Sequence, residues 1–472
     1  MRGLVATLAF LSLAVAQPAG AASPGSSDAP KLPTDPVLAT LIEQSLAARP
    51  ELAQARAEVR AERERVPQAG ALPDPMLQLG VQNDGFTSWE VGRMETSWYS
   101  IMLSQTFPWP GKLRLRSGVA EVGAKLADQS VARVRLSTEA DVRRAYLNLL
   151  LARDRLALLD RLEAIWQKSA TLARIRYETG QGAQSDVLRA QLELNRIRQR
   201  RWVMQADVAS EAQTLNRLRG HPLDEPIEPS VHIVDLPIPT PRDPAGAAQD
   251  ALDRSPELAA ARLGATQAEA SVALARKGTL PDLTVNAGVM PRGGDFPPMW
   301  LMSVAGPLPV FADAKQRRAV AETEARVTAN RKNIEALVQV LRLRVEQRRA
   351  VLGAMIENIR LYRDGLLVQS EATADSTLAQ YQVGRVTFAS VLEANAGFIA
   401  DQDGYLQVLA QAHRLEIDTA EVSLAPVASA GGAMGGAAVP GTGPLNGGAP
   451  APAPGTAAPL TPGGSTSGMS NM

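Results

Sequence analysis

The sequence has no cysteine among its 472 residues, and His221, His232 and His413 are its whole supply of imidazole. A disulfide frame, a thiolate zinc site and an iron–sulfur cluster are thereby excluded. Net charge is also lacking: 49 Lys and Arg stand against 49 Asp and Glu, which argues against a basic surface for nucleic acid. Aromatic residues make up only 4% of the chain, few for a protein that must fill thick globular cores. Beyond the short apolar run at residues 4–16, no stretch approaches the ~20 residues of a membrane-spanning helix. Catalytic signatures are missing as well: there is no phosphate-cradling Gly-x-x-x-x-Gly-Lys-Ser/Thr, no His-Glu-x-x-His and no nucleophile elbow. Neither an enzyme nor a bound cofactor or metal is expected, although metal remains possible as cargo.

The termini are set apart by composition. Residues 1–22 combine Arg2, the apolar run and the small residues Ala19-Gly20-Ala21-Ala22, the pattern of a cleaved secretory signal. An exported chain without an apolar helix can cross a membrane only by strands. Residues 425–472 are free of charge and rich in Gly, Ala, Pro, Ser and Thr, which predicts a disordered tail.

What lies between is one pattern written twice. Pro50-Glu51-Leu52 returns as Pro256-Glu257-Leu258 after 206 residues, and Leu72-Pro73-Asp74 as Leu280-Pro281-Asp282 after 208. Tyr177-x-x-Gly180 returns as Tyr381-x-x-Gly384, offset by 204. Such a period is too long for a solenoid, so each copy is a structural half: residues 36–220 and 246–424, separated by a Pro-rich linker at 221–245. No proline interrupts residues 111–221 or 310–425. Apolar residues keep helical spacing there, as in Val142, Tyr146, Leu149, Leu156 and Leu159, which predicts long helices packed as coiled coils.

Length decides how they pair. A helix over 112–179 would run about 100 Å at ~1.5 Å per residue, twice the length of a return helix over 185–219. The segment 37–66 supplies the missing partner, and in the second copy 246–279 joins a return helix over 387–424 against a long helix over 312–381. Two short helices stacked end to end are therefore expected along each long one.

Between the upstream helix and the long helix the period changes to 2. Leu77, Leu79 and Val81 alternate with Gln78, Gly80 and Gln82, and Tyr99, Ile101 and Leu103 stand against Ser100 and Ser104. Strands are predicted at about 76–83, 97–107, 283–290 and 299–308, long enough to cross a bilayer when tilted. Trp89, Trp98, Tyr99, Trp109 and Trp300 cluster in or beside these hairpins, as interfacial anchors do. Four strands cannot close a barrel, and open edges cannot face lipid. Pooled in a homotrimer they give a 12-stranded β-barrel wide enough for water, continued by an α-helical barrel on the same axis.

The duplicated plan, the paired Tyr-x-x-Gly turns and the stretch Gln105-Thr106-Phe107-Pro108-Trp109-Pro110-Gly111-Lys112 resemble the TolC-type outer membrane efflux proteins. With Leu72-Pro73-Asp74-Pro75-Met76, they look closest to the branch serving heavy-metal cation pumps. The resemblance covers about residues 36–421. It implies a mainly α, partly β trimeric conduit in the outer membrane, extending into the periplasm and docked to a periplasmic membrane-fusion adaptor and an inner-membrane proton-driven pump of the RND type. Members of this branch often carry a lipid anchor on a cysteine, which this chain lacks, so outer membrane lipid would be held by the strands alone.

The Tyr-x-x-Gly turns would lie at the periplasmic tip, with Gly180, Gly182 and Gly384 supplying tight backbone and Ser185, Asp186 or Thr387 capping the next helix. The resemblance implies a gate there: Tyr381 and Asp186 match link positions and Glu393 matches an acid of a constricting ring. Another ring position falls on Ser390, and a basic link position falls on Val386 beside Arg385. Drug efflux and type I protein secretion share this architecture. A purely periplasmic coiled-coil scaffold or adaptor is the more distant alternative, although an adaptor should have one helical hairpin, not two equivalent halves.

Overall fold

The computed structural model describes residues 35–241 and 243–426. The expected signal peptide, and all but residues 425 and 426 of the expected tail, lie outside them. The described residues form helices α1 (Pro36–Ala48), α2 (Pro50–Gly70), α3 (Lys112–Glu178), α4 (Gln184–Arg219), α5 (Pro244–Arg254), α6 (Pro256–Lys277), α7 (Gln316–Leu361), α8 (Leu367–Gln382) and α9 (Phe388–Ala420). Strands are β1 (Met76–Gln82), β2 (Trp98–Phe107), β3 (Leu283–Met290) and β4 (Met299–Ala305).

The strands make one antiparallel sheet in the order β1-β2-β3-β4. Register sorts most of its side chains by face. Leu79 lies opposite Ile101, Ile101 opposite Val289, and Val289 opposite Trp300, so one apolar row crosses all four strands. That face is exposed, Leu79 at 69% and Trp300 at 79%. On the other face polar side chains bridge the strands: Ser104 Oγ donates to Asn286 Oδ1 at 2.6 Å, Asn286 Nδ2 to Ser303 Oγ at 3.2 Å, and the Thr106 and Thr284 hydroxyls meet at 2.9 Å. A sheet that half-buries its polar links and exposes its apolar side is inside out by the standards of water.

Below the sheet, Lys112 ties strands to helices. Its buried Nζ donates to Leu280 O and Asp282 Oδ1, both at 2.7 Å, and Asp282 Oδ1 also accepts the Trp109 N–H at 2.9 Å. From Lys112, α3 runs 67 residues, about 100 Å. Its first part packs on α2 and α6, and its remainder on α1, α4 and α9; α7 packs on α5, α6 and α9, and α8 on α9. The main core lies in these seams, with Val142, Leu149, Leu162 and Trp166 of α3 against Ile197 and Leu215 of α4 and Val391 and Ile417 of α9. Among the described residues no helix is long and apolar enough to cross a membrane.

Several boundaries depart from the sequence expectation. Each upstream helix is two helices, because Pro50 and Pro256 have no N–H to continue the ladder and instead occupy the first turn of α2 and α6. Ser255 caps α6 through the Leu258 N–H at 3.2 Å. The fourth strand ends at Ala305 rather than 308, since Gly306 and Pro307 stop the ladder. The second long helix is not one α-helix over 312–381: residues 311–315 form turns, and a π turn at Tyr362–Leu366 separates α7 from α8. Finally, α9 stops at Ala420, where Val422 takes a left-handed φ of 55°. Arginines secure that stop. Arg254 donates to Ala420 O at 2.7 Å and Arg344 to Leu424 O at 3.2 Å, while Arg133 and Arg144 both pair with the buried Glu421.

The linker between the halves is strapped to α3. The buried Asp154 accepts the Ile233 N–H at 2.7 Å, and His232 Nδ1 lies 2.6 Å from its other oxygen. Asp35, at the head of α1, accepts from Ser230 Oγ at 3.0 Å and from the Tyr146 hydroxyl.

Candidate functional site

At the end of the helices farthest from the sheet, the two Tyr-x-x-Gly turns fold identically. Gly180 N–H donates to Tyr177 O at 3.0 Å and Gln181 N–H to Arg176 O at 2.8 Å; Gly384 N–H donates to Tyr381 O at 3.0 Å and Arg385 N–H to Gln380 O at 2.9 Å. Both are helix-ending Schellman turns, and the residue they need in left-handed geometry is glycine, with φ of 73° at Gly180 and 76° at Gly384. Gly182 is held for a different reason: a Cβ there would come within 3.0 Å of Arg176 Cβ. The expected side-chain caps are not used. Ala183 stands at the N-cap of α4, and Thr387, at the N-cap of α9, accepts no backbone N–H through its side chain but meets Ser390 Oγ at 3.3 Å.

These turns bring Tyr381 and Asp186 together. The buried Tyr381 hydroxyl donates to Asp186 Oδ2 at 3.2 Å. Its ring meets Phe388 at 5.3 Å between centroids, and Phe388 in turn stands edge-on to Trp166 at 6.4 Å. Burial and then the neighbouring Asp186 carboxylate push the Tyr381 phenol up to about 12. Asp186 lies in the first turn of α4, where a negative charge is favoured by the helix dipole.

Sequence reasoning missed Arg176. Its guanidinium carbon lies 4.7 Å from the centre of the Tyr381 ring, one nitrogen donates to Tyr381 O and another to Gln181 O at 3.0 Å. One side chain thus grips both turns. The signal was a difference between the halves, since the second copy has Gln380 at the equivalent place. Around this clamp a cleft of about 400 Å³ opens, lined by Arg176, Asp186, Arg189, Tyr381, Val386 and Phe388.

Other expected site residues stand apart. Glu393, in the second turn of α9, and Arg385 are exposed and make no side-chain hydrogen bond or ion pair among the described residues; Ser390 is half-buried. At the sheet, Trp89 and Tyr99 rings meet at 6.2 Å, Trp300 stands on the apolar face, and Trp98 and Trp109 are half-buried. Among the described residues, no three acidic or histidine side chains gather as a metal site.

Known proteins of the same plan match. The chain is 25% identical over 354 residues to the cobalt-zinc-cadmium resistance protein CzcC of Cupriavidus metallidurans, covering 74% of this chain and 80% of that one. It is 26% identical over 454 residues to the pyoverdine export outer membrane protein OpmQ of Pseudomonas putida, covering 89% and 93%. The crystal structure of CusC superposes with a TM-score of 0.71 at 21% identity, over 82% of this chain and 92% of that one. The sequence profile of the outer membrane efflux proteins matches residues 41–221 and 247–424, one segment in each half. The chain therefore belongs to the outer membrane efflux protein family.

Proposed function

We propose that three copies of this chain form the outer membrane exit duct of a tripartite efflux system, passing heavy-metal cations that a periplasmic adaptor and an inner-membrane proton-driven pump deliver. The observation that carries this reading is the sheet. Its apolar face is exposed on all four strands, and among the described residues β1 and β4 each have one open edge. Joining β4 of one copy to β1 of the next pairs both edges, turns the apolar face to lipid and the Ser, Thr and Asn face to a wet lumen. Twelve strands then close around a pore. With no cysteine to lipidate, the strands alone hold the duct in the membrane.

At the periplasmic end the Tyr381–Asp186 link holds the tip closed, and Glu393 from three copies forms the acidic ring. Transport is passive, with the adaptor biasing the tip toward its open state. The cation assignment draws on the name of CzcC and on the shared sequence strings. OpmQ, which matches over more of this chain, favours a second reading, the export of an organic cargo.

One experiment separates these. Deleting the gene should sensitise cells to cobalt, zinc or cadmium and leave organic toxicants without effect, with complementation by the intact chain. Unchanged metal tolerance rejects the cation reading. Recovery of the protein from periplasmic extract as a soluble monomer, rather than from outer membranes as a trimer, rejects the duct itself.

A further inference from the structure

The polar face of the sheet is also its methionine face. Register puts Met76, Met102, Met290 and Met299 on the side of Ser104, Asn286 and Ser303, and only Met302 of the strand methionines on the other. The remaining large apolar side chains go the opposite way: every Leu, Ile, Val and Phe of the four strands except Leu301 stands on the apolar face. Methionine used as one more hydrophobe should follow them. Its placement calls for the chemistry that Leu lacks, which is the thioether.

Three of the four gather in one place. Met290 and Met299 are register partners, with Cβ atoms about 5 Å apart. Met102 is the partner of Gly288, two residues before Met290, and so is a diagonal neighbour of Met290 at about 7–8 Å, within reach of long side chains. Gly288 makes the room. A Cβ there would lie 2.7 Å from Met102 Cγ, so the Met102 side chain lies across the glycine onto β3. All three are half-buried, while Met76 stands apart at 70% exposed.

The group sits at the end of the sheet far from Lys112, because Met290 ends β3 and Met299 begins β4 on either side of the loop 291–298. That loop is fixed. The buried Arg292 donates to Pro297 O and to Glu95 Oε1, both at 2.9 Å, which also matches its charge. A Cβ at Gly294 would lie 2.4 Å from Gly92 O, so the two outer loops meet backbone to backbone. The four strands contain no Asp, Glu, Lys, Arg or His. Thioether sulfur is then the one soft donor on this face, and thioethers select soft monovalent ions such as Cu(I) over the divalent ions that prefer nitrogen and oxygen.

We infer that Met102, Met290 and Met299 form a transit site for a soft monovalent cation, Cu(I) or Ag(I), at the outer end of the duct. The transit role rests on the duct reading, which turns this face to the lumen. Binding itself does not, since all three sulfurs belong to one chain. Neutral donors leave the charge of the ion uncompensated, so it is held weakly enough to leave, as conduction requires. The cargo class then includes the soft monovalent ions.

Ag+ as the nitrate is the probe, and the absence of cysteine removes its strongest competing ligand. In the purified full chain carrying 13C-methyl methionine, Ag+ should shift the Met102, Met290 and Met299 resonances and leave Met204 and Met355 in place, whereas Zn2+ should shift none. Thioethers carry no titrating proton, so the shifts should be equal at pH 5.5 and 7.5, unlike those of an imidazole site. In planar bilayers Ag+ should lower the K+ current several-fold. Met102→Leu/Met290→Leu/Met299→Leu, nearly volume-conserving, should keep the current and lose the block; Met290→Leu alone should weaken the block, which covers a failure of the triple variant to fold. Uniform shifts at all methionines, no shift at these three, or an equal response to Zn2+ overturns the site and leaves the duct standing. Selective shifts with a K+ current that Ag+ does not lower overturn the transit role. Selective shifts with no K+ current at all overturn the duct reading, and the transit role with it.

Discussion

The hydroxyl of Tyr381, at the end of α8, donates to the carboxylate of Asp186, in the first turn of α4, at 3.2 Å. The bond joins the second half of the chain to the first across 195 residues, at the one end of the molecule where both halves turn back. If the tip opens as proposed, by separation of these helices, the bond must break. A hydrogen bond to a charged acceptor contributes about 1.5–3 kcal/mol, less where water reaches the site, and Tyr381→Phe removes it without touching the ring packing on Phe388. Open probability in planar bilayers should then rise several-fold, with single-channel conductance unchanged. A rise in conductance with no change in gating would assign Tyr381 to the pore wall instead.

The same bond sets a pH window. The folded Tyr381 phenol is raised from its ordinary 10 to about 12 by burial and by Asp186. Its contribution is therefore complete below pH 10 and is lost as pH rises toward 12. Gating of the wild type should be flat from pH 7 to 9 and loosen only in strong alkali, whereas Tyr381→Phe should lose that alkaline transition. Recordings at stepped pH, compared between the two proteins, check it.

Arg176 is the other half of this device. Because it serves carbonyls in both turns and lies against the Tyr381 ring, Arg176→Gln should free residues 381–387. Limited proteolysis should cut that segment several times faster. Arg176→Lys should not restore protection, since a compact ammonium cannot bridge two carbonyls and cover a ring at once.

How far the sequence discloses all this depends on the range of the interaction. The alternation of Leu77, Leu79 and Val81 with Gln78, Gly80 and Gln82 is local and readable, because strand faces follow a period of 2. Breaks at Pro50 and Pro256 were equally readable, but counting residues alone merged the helices on either side. The π turn gives no such sign: Tyr362–Leu366 contains no proline, and the close fit of Tyr362 at its start is to Gly404, 42 residues away. Val422 is harder still, since a β-branched residue is a poor choice for left-handed φ and only the arginines gathered on the end of α9 explain the turn. Arg176 lies 205 residues from Tyr381. The Tyr381–Asp186 pairing came through resemblance rather than through pattern.

Glu393 tests the acidic ring separately from the link. It is exposed, with no partner among the described residues, so removing its charge should cost little stability, within about 0.5 kcal/mol. Three carboxylates around a narrow pore should favour cations. Glu393→Gln should then lower the cation-to-anion permeability ratio measured from reversal potentials, and Ser390→Asp should raise it by adding three more. Unaltered selectivity in both would place Glu393 on an outer, solvated face.

Asp154 allows the strap to be tested without disturbing the tip. Its carboxylate receives the Ile233 N–H at 2.7 Å and sits by His232 Nδ1 at 2.6 Å, and Ile233 is fully buried. Asp154→Ala leaves that N–H buried without an acceptor, a cost of about 1–3 kcal/mol, which the chain can avoid by letting the 3-10 turn at Ile233–Asp235 lift away. Amide exchange across residues 229–236 should accelerate by at least tenfold, while α3 on either side stays protected. Asp154→Asn keeps one acceptor oxygen, so its effect should be smaller. Along α3 the site is about 36 Å from the tip, far enough that gating by Tyr381 and Asp186 should be unaltered. If gating shifts while exchange in the linker does not, Asp154 acts on the coiled coil itself rather than on the strap.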